Sequence, residues 1–366
     1  MSEIFWDALM FIAAVGPLII FHELGHYWVG RWCGVRAETF SIGFGQEVAG
    51  WTDKRGTRWK IGWLPMGGYV KFAGEYDLDG SPSLRQPFDG FETAALWQRA
   101  LIIVAGPVAN FVIAFLIYGV LIAMLGEPFM GNGVGAIERG SVAQSAGFKP
   151  GDKVLAINGT ETVDFDSIRA IVAAHPNQPL RFTLRRDGHD IALTAKPLLA
   201  QNMDQYRVKS QGGHLGLAPL IEIRHPAWYA VPGAALNRVV KMTAMIGSVI
   251  GKIFTGQLSA SLMGGPLQSA KVAAEAASYG GIVFADFIAF ISINLGFMNL
   301  LPVPVLDGGH LALYGVEAVR RRPLTSKTRE TVFRTGLVML MTLFVFVTIN
   351  DLGSFGVWKS LAGLIG

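Results

Sequence analysis

His22, Glu23 and His26 stand in the order His-Glu-x-x-His, within His22-Glu23-Leu24-Gly25-His26. On a helix, positions i and i+4 share a face, so both imidazoles can point at one metal ion. Zinc suits two neutral imidazoles plus a carboxylate, with a fourth position left for water. Glu23, one residue from the first imidazole, is placed to take a proton from that water. A third ligand is still needed, and Asp307 is the candidate, in the run Asn299-Leu300-Leu301-Pro302-Val303-Pro304-Val305-Leu306-Asp307-Gly308-Gly309-His310. The prolines break a helix, and the glycines let the backbone turn close to a partner. His310, three residues on, is the rival ligand. Together these residues suit metal-assisted hydrolysis.

Composition says what must position them. Only 16% of the 366 residues are charged, against about 25% in a typical soluble protein, and the mean hydropathy is +0.40. The net charge is +4, a small excess rather than a basic surface, so nucleic acid is not an expected partner. Cys33 is the only cysteine, which excludes an intrachain disulfide. The 45 glycines and 23 phenylalanines fit an integral membrane protein.

Charge-free runs locate four spans. Residues 100–126 give 27 positions without a formal charge, 287–306 give 20, and 335–350 give 16; crossing the hydrocarbon core takes about 20. The first run, 8–21, has 14 and spans only if its helix continues through His22 to Gly30. That would carry His22, Glu23 and His26 into the bilayer, where ionisable groups are costly and by default functional. A fifth run, 253–270, is rich in Gly, Ser and Gln and is not expected to face lipid.

Loop charges orient the spans. Residues 31–99 carry nine Lys and Arg, and 308–334 carry six, whereas the segment before Asp7 has none. The positive-inside rule then puts both termini outside and these two loops in the cytoplasm. The first and third spans run the same way, so His22, His26 and Asp307 fall at similar depth, toward the cytoplasmic side. The first apolar run lacks a cleavage site and is read as retained.

Between spans two and three the sequence reads like a soluble domain. Residues 132–137 suggest a strand. Residues 140–159, GSVAQSAGFKPGDKVLAING, suggest a short helix, a turn, a strand at 153–157 and an Asn158-Gly159 hairpin turn. Residues 166–174 have helical spacing, while 180–185 and 191–195 alternate about Asp187-Gly188. This pattern resembles a circularly permuted PDZ domain of the bacterial kind, over 130–197. Farther on, 228–253 has helical spacing of an amphipathic kind, suited to the outer membrane surface or to packing under that domain. In the cytoplasmic loop, 47–51 and 57–63 flank a turn, and Leu64-Pro65-Met66-Gly67-Gly68-Tyr69-Val70 is too apolar for an exposed loop. A partly inserted β-hairpin fits. His175, His189, His214 and His225 lack metal-ligand spacing and are expected to be surface or structural residues.

HExxH in the first span, the PDZ-like segment, and NLLPVPVLDGG at the end of the third span resemble the site-2 protease family of intramembrane zinc metalloproteases. Within that family the chain is similar to the bacterial regulator of sigma-E branch, which cleaves anti-sigma factors. Gly106-Pro107-Val108-Ala109-Asn110 and Gly67-Gly68-Tyr69-Val70-Lys71 belong to the same resemblance. It implies Zn2+ held by His22, His26 and Asp307, with Glu23 as the catalytic base. It implies substrate contacts at Asn294 and Asn299, although each asparagine could instead cap or bridge helices. Gly67 and Gly68 would lie at a strand edge that pairs with an unwound substrate. Two departures stand out: one PDZ-like segment where enteric members have two, and Gln46 after Gly43-Phe44-Gly45 where proline is common.

The expected architecture is a polytopic α-helical membrane protein with four transmembrane helices, one inserted PDZ domain and a membrane-associated β-hairpin. Residues 1–126 hold the first two spans with HExxH and the hairpin, 127–200 the PDZ domain, 201–283 an external linker with room for one amphipathic helix, and 284–366 the last two spans with LDGG. The expected substrates are single-pass membrane proteins of the anti-sigma-factor type, already cleaved outside, or signal-peptide remnants. The expected setting is the bacterial inner membrane, with both termini and the PDZ domain periplasmic. A non-catalytic PDZ scaffold or a metal transporter are the alternatives; a transporter would need serial sites or repeats that the chain does not offer.

Overall fold

The computed structural model describes residues 2–74, 89–203, 209–259 and 264–354. The chain divides into two compact units, Met1–Leu121 with Pro232–Ser248 and Ser259–Gly366, and Ile122–Val231 with Val249–Leu258.

The first helix, α1 (Ser2–Trp32), runs unbroken through His22 to Gly30, as the short first apolar run requires. Two long strands follow, β1 (Ala37–Thr52) and β2 (Arg58–Phe72), joined by a turn in which Asp53 accepts hydrogen bonds from the Arg55 and Thr57 amides at 2.8 and 2.9 Å. Each strand bends, so the pair forms a curled sheet of four antiparallel segments in the order 68–72, 37–42, 58–61 and 50–52. Segment 68–72 is one edge. The apolar helix α2 (Leu96–Leu125) comes next.

The second unit is mostly strand: β3 (Glu127–Ile137), α3 (Val142–Ala146), β4 (Lys153–Ile157), β5 (Thr160–Glu161), α4 (Phe165–Ala174), β6 (Leu180–Arg186), β7 (His189–Ala195), β8 (Leu198–Met203), β9 (Lys209–His214) and β10 (Leu217–Arg224). Its main sheet has the order β10-β3-β4-β6-β7, with β5 on β4, all antiparallel. Strand alternation buries Leu180, Phe182 and Leu184 of β6 against Ile168 and Val172 of α4. Asp164 caps α4 by accepting from the Ser167 amide at 2.8 Å. The strand expected at 132–137 begins earlier, at Glu127, because β10 pairs along its whole length. The stretch 201–283, expected as a linker with one amphipathic helix, is folded in large part: it supplies β9, β10 and two helices, one of them over the expected 228–253.

Those helices are α5 (Val231–Phe254) and α6 (Pro266–Ser278), followed by α7 (Gly281–Leu300), α8 (Asp307–Arg320) and α9 (Ser326–Ser354). Within the first unit Arg238 of α5 pairs with Asp286 of α7 at 2.7 Å and lies over the Tyr118 ring of α2 at 4.6 Å. Asp351 of α9 is fully buried and accepts from the Gly265, Leu267 and Gln268 amides at 2.8, 3.1 and 3.2 Å. A side chain from a distant helix thus caps α6.

Among the described residues four helices are long and apolar enough to cross a membrane: Glu3–Trp32, Leu96–Leu125, Gly281–Leu300 and Lys327–Gly353. The protein is accordingly a polytopic membrane protein with β-sheet structure between its spans. The third span is shifted relative to its charge-free run. It starts before Asp286, whose charge Arg238 offsets, and it stops at Leu300 because Pro302 and Pro304 cannot continue a helix. No candidate span among the described residues falls in 253–270.

Candidate metal centre

The regular geometry of α1 puts His22 and His26 on one face, with ring centroids 4.8 Å apart in an edge-to-face arrangement. Their Nε2 atoms are 3.2 Å apart. Asp307 Oδ2 lies 3.2 Å from His22 Nε2 and 3.6 Å from His26 Nε2. Both imidazoles are buried.

Asp307 reaches this point because of the turn before it. Val305 has φ of +83°, a left-handed conformation that a β-branched residue adopts only under constraint. α8 then begins at Asp307. A side chain at Gly308 would strike the Leu300 and Leu301 carbonyls, and one at Gly309 the Val303 carbonyl. Only glycine lets α8 start this close to the end of α7.

α8 is also held from the other side. Glu317 of α8 pairs with Arg329 of α9 at 2.7 Å and with Arg99 of α2 at 3.5 Å. Glu92 joins the same two arginines at 2.9 and 3.4 Å. Burial pushes the Glu317 carboxyl up, but the Leu324 amide and the Arg329 guanidinium outweigh it and hold it below the usual carboxylate range.

α2 supplies the surroundings of both imidazoles. His26 Nδ1 lies 2.8 Å from the Ile102 carbonyl, which can only accept, so Nδ1 donates and Nε2 keeps its lone pair. Asp307 Oδ2 is buried without a well-directed hydrogen bond among the described residues. His26 Nε2 and Asp307 Oδ2, both acceptors, lie 3.6 Å apart, with His22 Nε2 3.2 Å from each, an arrangement that a cation between them satisfies. Ligands about 2.0–2.2 Å from a tetrahedral zinc lie about 3.3–3.6 Å apart. The donor set and its spacing fit zinc.

Glu23 sits beside this cluster, and the Val70 amide of β2 is within hydrogen-bonding reach of its carboxylate. Gly68 is packed so near that a Cβ there would lie 3.4 Å from Glu23 Cγ. Neighbouring Gly67, at φ of +94°, leaves room for the Phe44 ring. The edge segment of the curled sheet therefore lies along the cluster.

Other candidates fall elsewhere. His310 packs on Phe333, with ring centroids 4.6 Å apart, and is not among the converging donors, which are His22, His26 and Asp307. Burial lowers its imidazole pKa. Asn294 and Asn299 are half-buried on α7 and make no hydrogen bond among the described residues. Ser292 and Gly296 of α7 pack on α2; Asn299 shares their stripe, whereas Asn294 lies on the opposite side of the helix. Of the scattered histidines, His175 bonds its own helix at the Ile171 carbonyl and His214 faces Glu138 at 3.1 Å.

Two groups around the cluster belong to the Gly106–Asn110 run of the resemblance, for which the sequence indicated no role at the metal. Asn110 of α2 is fully buried, and its Nδ2 is 3.1 Å from His22 Nδ1. Gly106 of α2 lies between Ile102 and Asn110 and directly over both rings: a Cβ there would be 2.9 Å from His22 Cε1 and would strike His26 Nε2. A lone asparagine in an apolar span was the available signal.

The pattern of peptidase family M50 matches residues 10–343. A protein of Agrobacterium fabrum (strain C58), provisionally named a zinc metalloprotease, is 39% identical over 359 residues, covering 94% of this chain and 95% of its own length. Metalloprotease MmpA of Caulobacter vibrioides is 37% identical over 390 residues, covering 98% and 97%. A protein of Vibrio cholerae with a similar provisional name is 28% identical over 459 residues, covering 96% and 99%. With a donor cluster that fits zinc and a family match through nearly the whole chain, the protein belongs to peptidase family M50, the site-2 proteases, and is a zinc metalloprotease of the membrane type.

Proposed function

We propose that this protease cleaves the membrane-spanning segments of single-pass proteins, with His22, His26 and Asp307 holding the zinc and Glu23 acting as general base. One observation carries the reading. His22 Nε2, His26 Nε2 and Asp307 Oδ2 converge within 3.2–3.6 Å beside a helix apolar enough to cross a membrane, next to the Glu23 carboxylate.

When bound, zinc polarises the scissile carbonyl and lowers the pKa of a water toward about 7. Glu23 takes the proton from the attacking water and returns it to the leaving amine. A substrate helix hides its carbonyls in i to i−4 hydrogen bonds, so it must unwind locally before attack. Segment 68–72, an edge of the curled sheet beside Glu23, offers backbone groups that pair with the unwound strand. Gly67 and Gly68 let that edge lie close against Phe44, Ser41 and Glu23 beside the cluster. Asn294 and Asn299 each have amide bonding capacity to offer a substrate, on different sides of α7.

The substrates we assign are of the anti-sigma-factor type, trimmed on the outer side before they reach this site. The second unit, whose sequence resembles a PDZ domain, acts outside as a filter against large external domains, and the curled sheet associates with the membrane. Both termini face outward, and the active site opens toward the cytoplasm, from the distribution of Lys and Arg between the loops.

The test uses purified full-length protein and a model membrane-spanning peptide. Glu23→Gln is expected to retain zinc and abolish cleavage. Asp307→Asn weakens zinc binding, while His310→Ala leaves the metal in place. Substantial turnover by the zinc-loaded Glu23→Gln protein would remove Glu23 from the mechanism.

A further inference from the structure

The zinc assignment leaves a question about His22 that the structure answers. His26 has an outer partner, the Ile102 carbonyl at 2.8 Å, which sets its tautomer. The only group opposite the outer nitrogen of His22, among the described residues, is the side-chain amide of Asn110, 3.1 Å from Nδ1. Asn110 is fully buried, and its Oδ1 makes no hydrogen bond among the described residues. Its backbone is fixed from α7: the Ser292 hydroxyl donates to the Asn110 carbonyl at 2.8 Å, and a Cβ at Gly296 would lie 3.3 Å from Asn110 Cβ.

We propose that Asn110 is a positioning residue for the metal, its side-chain oxygen accepting a hydrogen bond from His22 Nδ1 and so holding Nε2 as the ligating atom. This rests on the reading of His22 as a ligand. An amide can turn either edge to a ring nitrogen, and the tautomer decides which. With Nδ2 toward His22, Nδ1 must be the acceptor, and Nε2 then carries the proton and cannot ligate. With Oδ1 toward His22, Nδ1 carries the proton and Nε2 is free. Turning the amide exchanges one hydrogen bond for another, so the count does not change while the tautomer does. Zinc therefore selects the oxygen-inward arrangement, and the buried amide in return selects the ligating tautomer. Groups in this position commonly contribute about 10–100-fold to metal affinity. Ile102, Gly106 and Asn110, spaced by four on α2, would then form one surface that orients both imidazoles.

Two variants separate this role from simple packing. Asn110→Leu keeps the size and loses the acceptor; Asn110→Asp keeps the acceptor and loses the donor edge. The readout is zinc affinity of the full-length protein in detergent, by competition with a chelator of known affinity, together with thermal unfolding of the zinc-free forms. Asn110→Leu is expected to bind zinc about 10–100-fold more weakly, with zinc-free unfolding close to wild type, while Asn110→Asp binds zinc at least as well as wild type. A merely structural amide would make both variants unfold earlier without zinc, and an Asn110→Asp protein that binds zinc more weakly than wild type would show that an acceptor at this position does not favour the ligating tautomer; either result overturns the proposal. Should Asn110→Leu fail to fold, the zinc affinity of Asn110→Asp alone decides between the two edges. His22→Ala serves as the control. If it still binds zinc like wild type, the ligand assignment has failed and the role of Asn110 with it. If it loses zinc while Asn110→Leu does not, only the role of Asn110 has failed.

Discussion

Replacing Gly106 by alanine adds one methyl group between two helices, and its effect can be worked from the geometry. The new Cβ would lie 2.9 Å from His22 Cε1 and 2.5 Å from His26 Cε1, and closer still to His26 Nε2. Carbon atoms in ordinary contact stay about 3.5–4.0 Å apart, so the His26 ring must withdraw by about 1 Å. A metal site tolerates displacements of about 0.2 Å in its ligand distances. Separating the helices to make room would give up the close contact of Gly25 of α1 with the Ala105 carbonyl. We therefore expect zinc affinity to fall at least about 100-fold, or roughly 2.8 kcal/mol at 1.4 kcal/mol per tenfold. The zinc-free protein should change much less. Overpacking costs about 1–3 kcal/mol, and exchanging glycine for alanine inside a helix returns about 1 kcal/mol. The signature is a zinc-free unfolding temperature near wild type with most of the zinc-dependent stabilisation gone. Thermal unfolding with and without zinc, beside chelator competition, measures both. A Gly106→Ala protein that binds zinc like wild type would show that α2 does not set the position of the imidazoles.

Three further outcomes follow from contacts away from the zinc ligands. Glu317→Ala removes one of the two carboxylates that, among the described residues, two largely buried arginines share, and should cost about 3–5 kcal/mol; unchanged thermal stability would show that the network does not hold α8. Asp351→Ala removes the acceptor for three amides at the start of α6 and should cost about 1–2 kcal/mol, read as faster hydrogen exchange at Leu267 and Gln268; unchanged exchange refutes the cap. In the second unit, burial raises the Asp152 carboxyl, but the Arg186 guanidinium and the Lys149 amide outweigh it and hold it below its ordinary value. The unfolded chain then binds the extra proton first, so this stabilisation is complete above about pH 4 and is lost as pH falls through the lower folded-state value. Asp152→Asn should flatten that part of the stability profile, and an unchanged acid limb would exclude the pair as its source.

The groups that bind a metal were legible because each has a residue type and a spacing. His22 and His26 are one helical turn apart, and Asp307 follows two prolines that end α7 at Leu300. The spans were legible from missing charges, with an error where a charge was paired: Asp286 marks the edge of a run in sequence but lies inside α7, offset by Arg238 of α5. Strands with local partners were also readable. β4 matches the segment 153–157, and β6 and β7 flank the Asp187-Gly188 turn as their alternation suggested. β10 was not readable. Residues 217–224 carry Pro219 and pair with β3 across some eighty intervening positions, a partnership with no local signal. The curled sheet was half visible. Its outer segments alternate about the Asp53 turn, but the inner pairing of 37–42 with 68–72 depends on bends that bring distant halves of two strands together.

The surroundings of the zinc site escaped for a different reason. Ile102 acts through its backbone carbonyl, which every residue possesses, and Gly106 acts through the absence of a side chain. Neither leaves a chemical signature in an apolar run. Asn110 does leave one, but its meaning depends on the neighbour it faces, and only the packing of α1 on α2 supplies His22. The three positions fall four apart, so once α2 is known to be a regular helix they must share a face. Proline at 107, within the same stretch but off that face, removes one amide donor without ending the helix. A search for ligands in sequence finds the groups that touch the metal. The helix that orients those groups is found by asking which positions on a neighbouring span must be small, must be polar, or must offer a carbonyl at one-turn spacing.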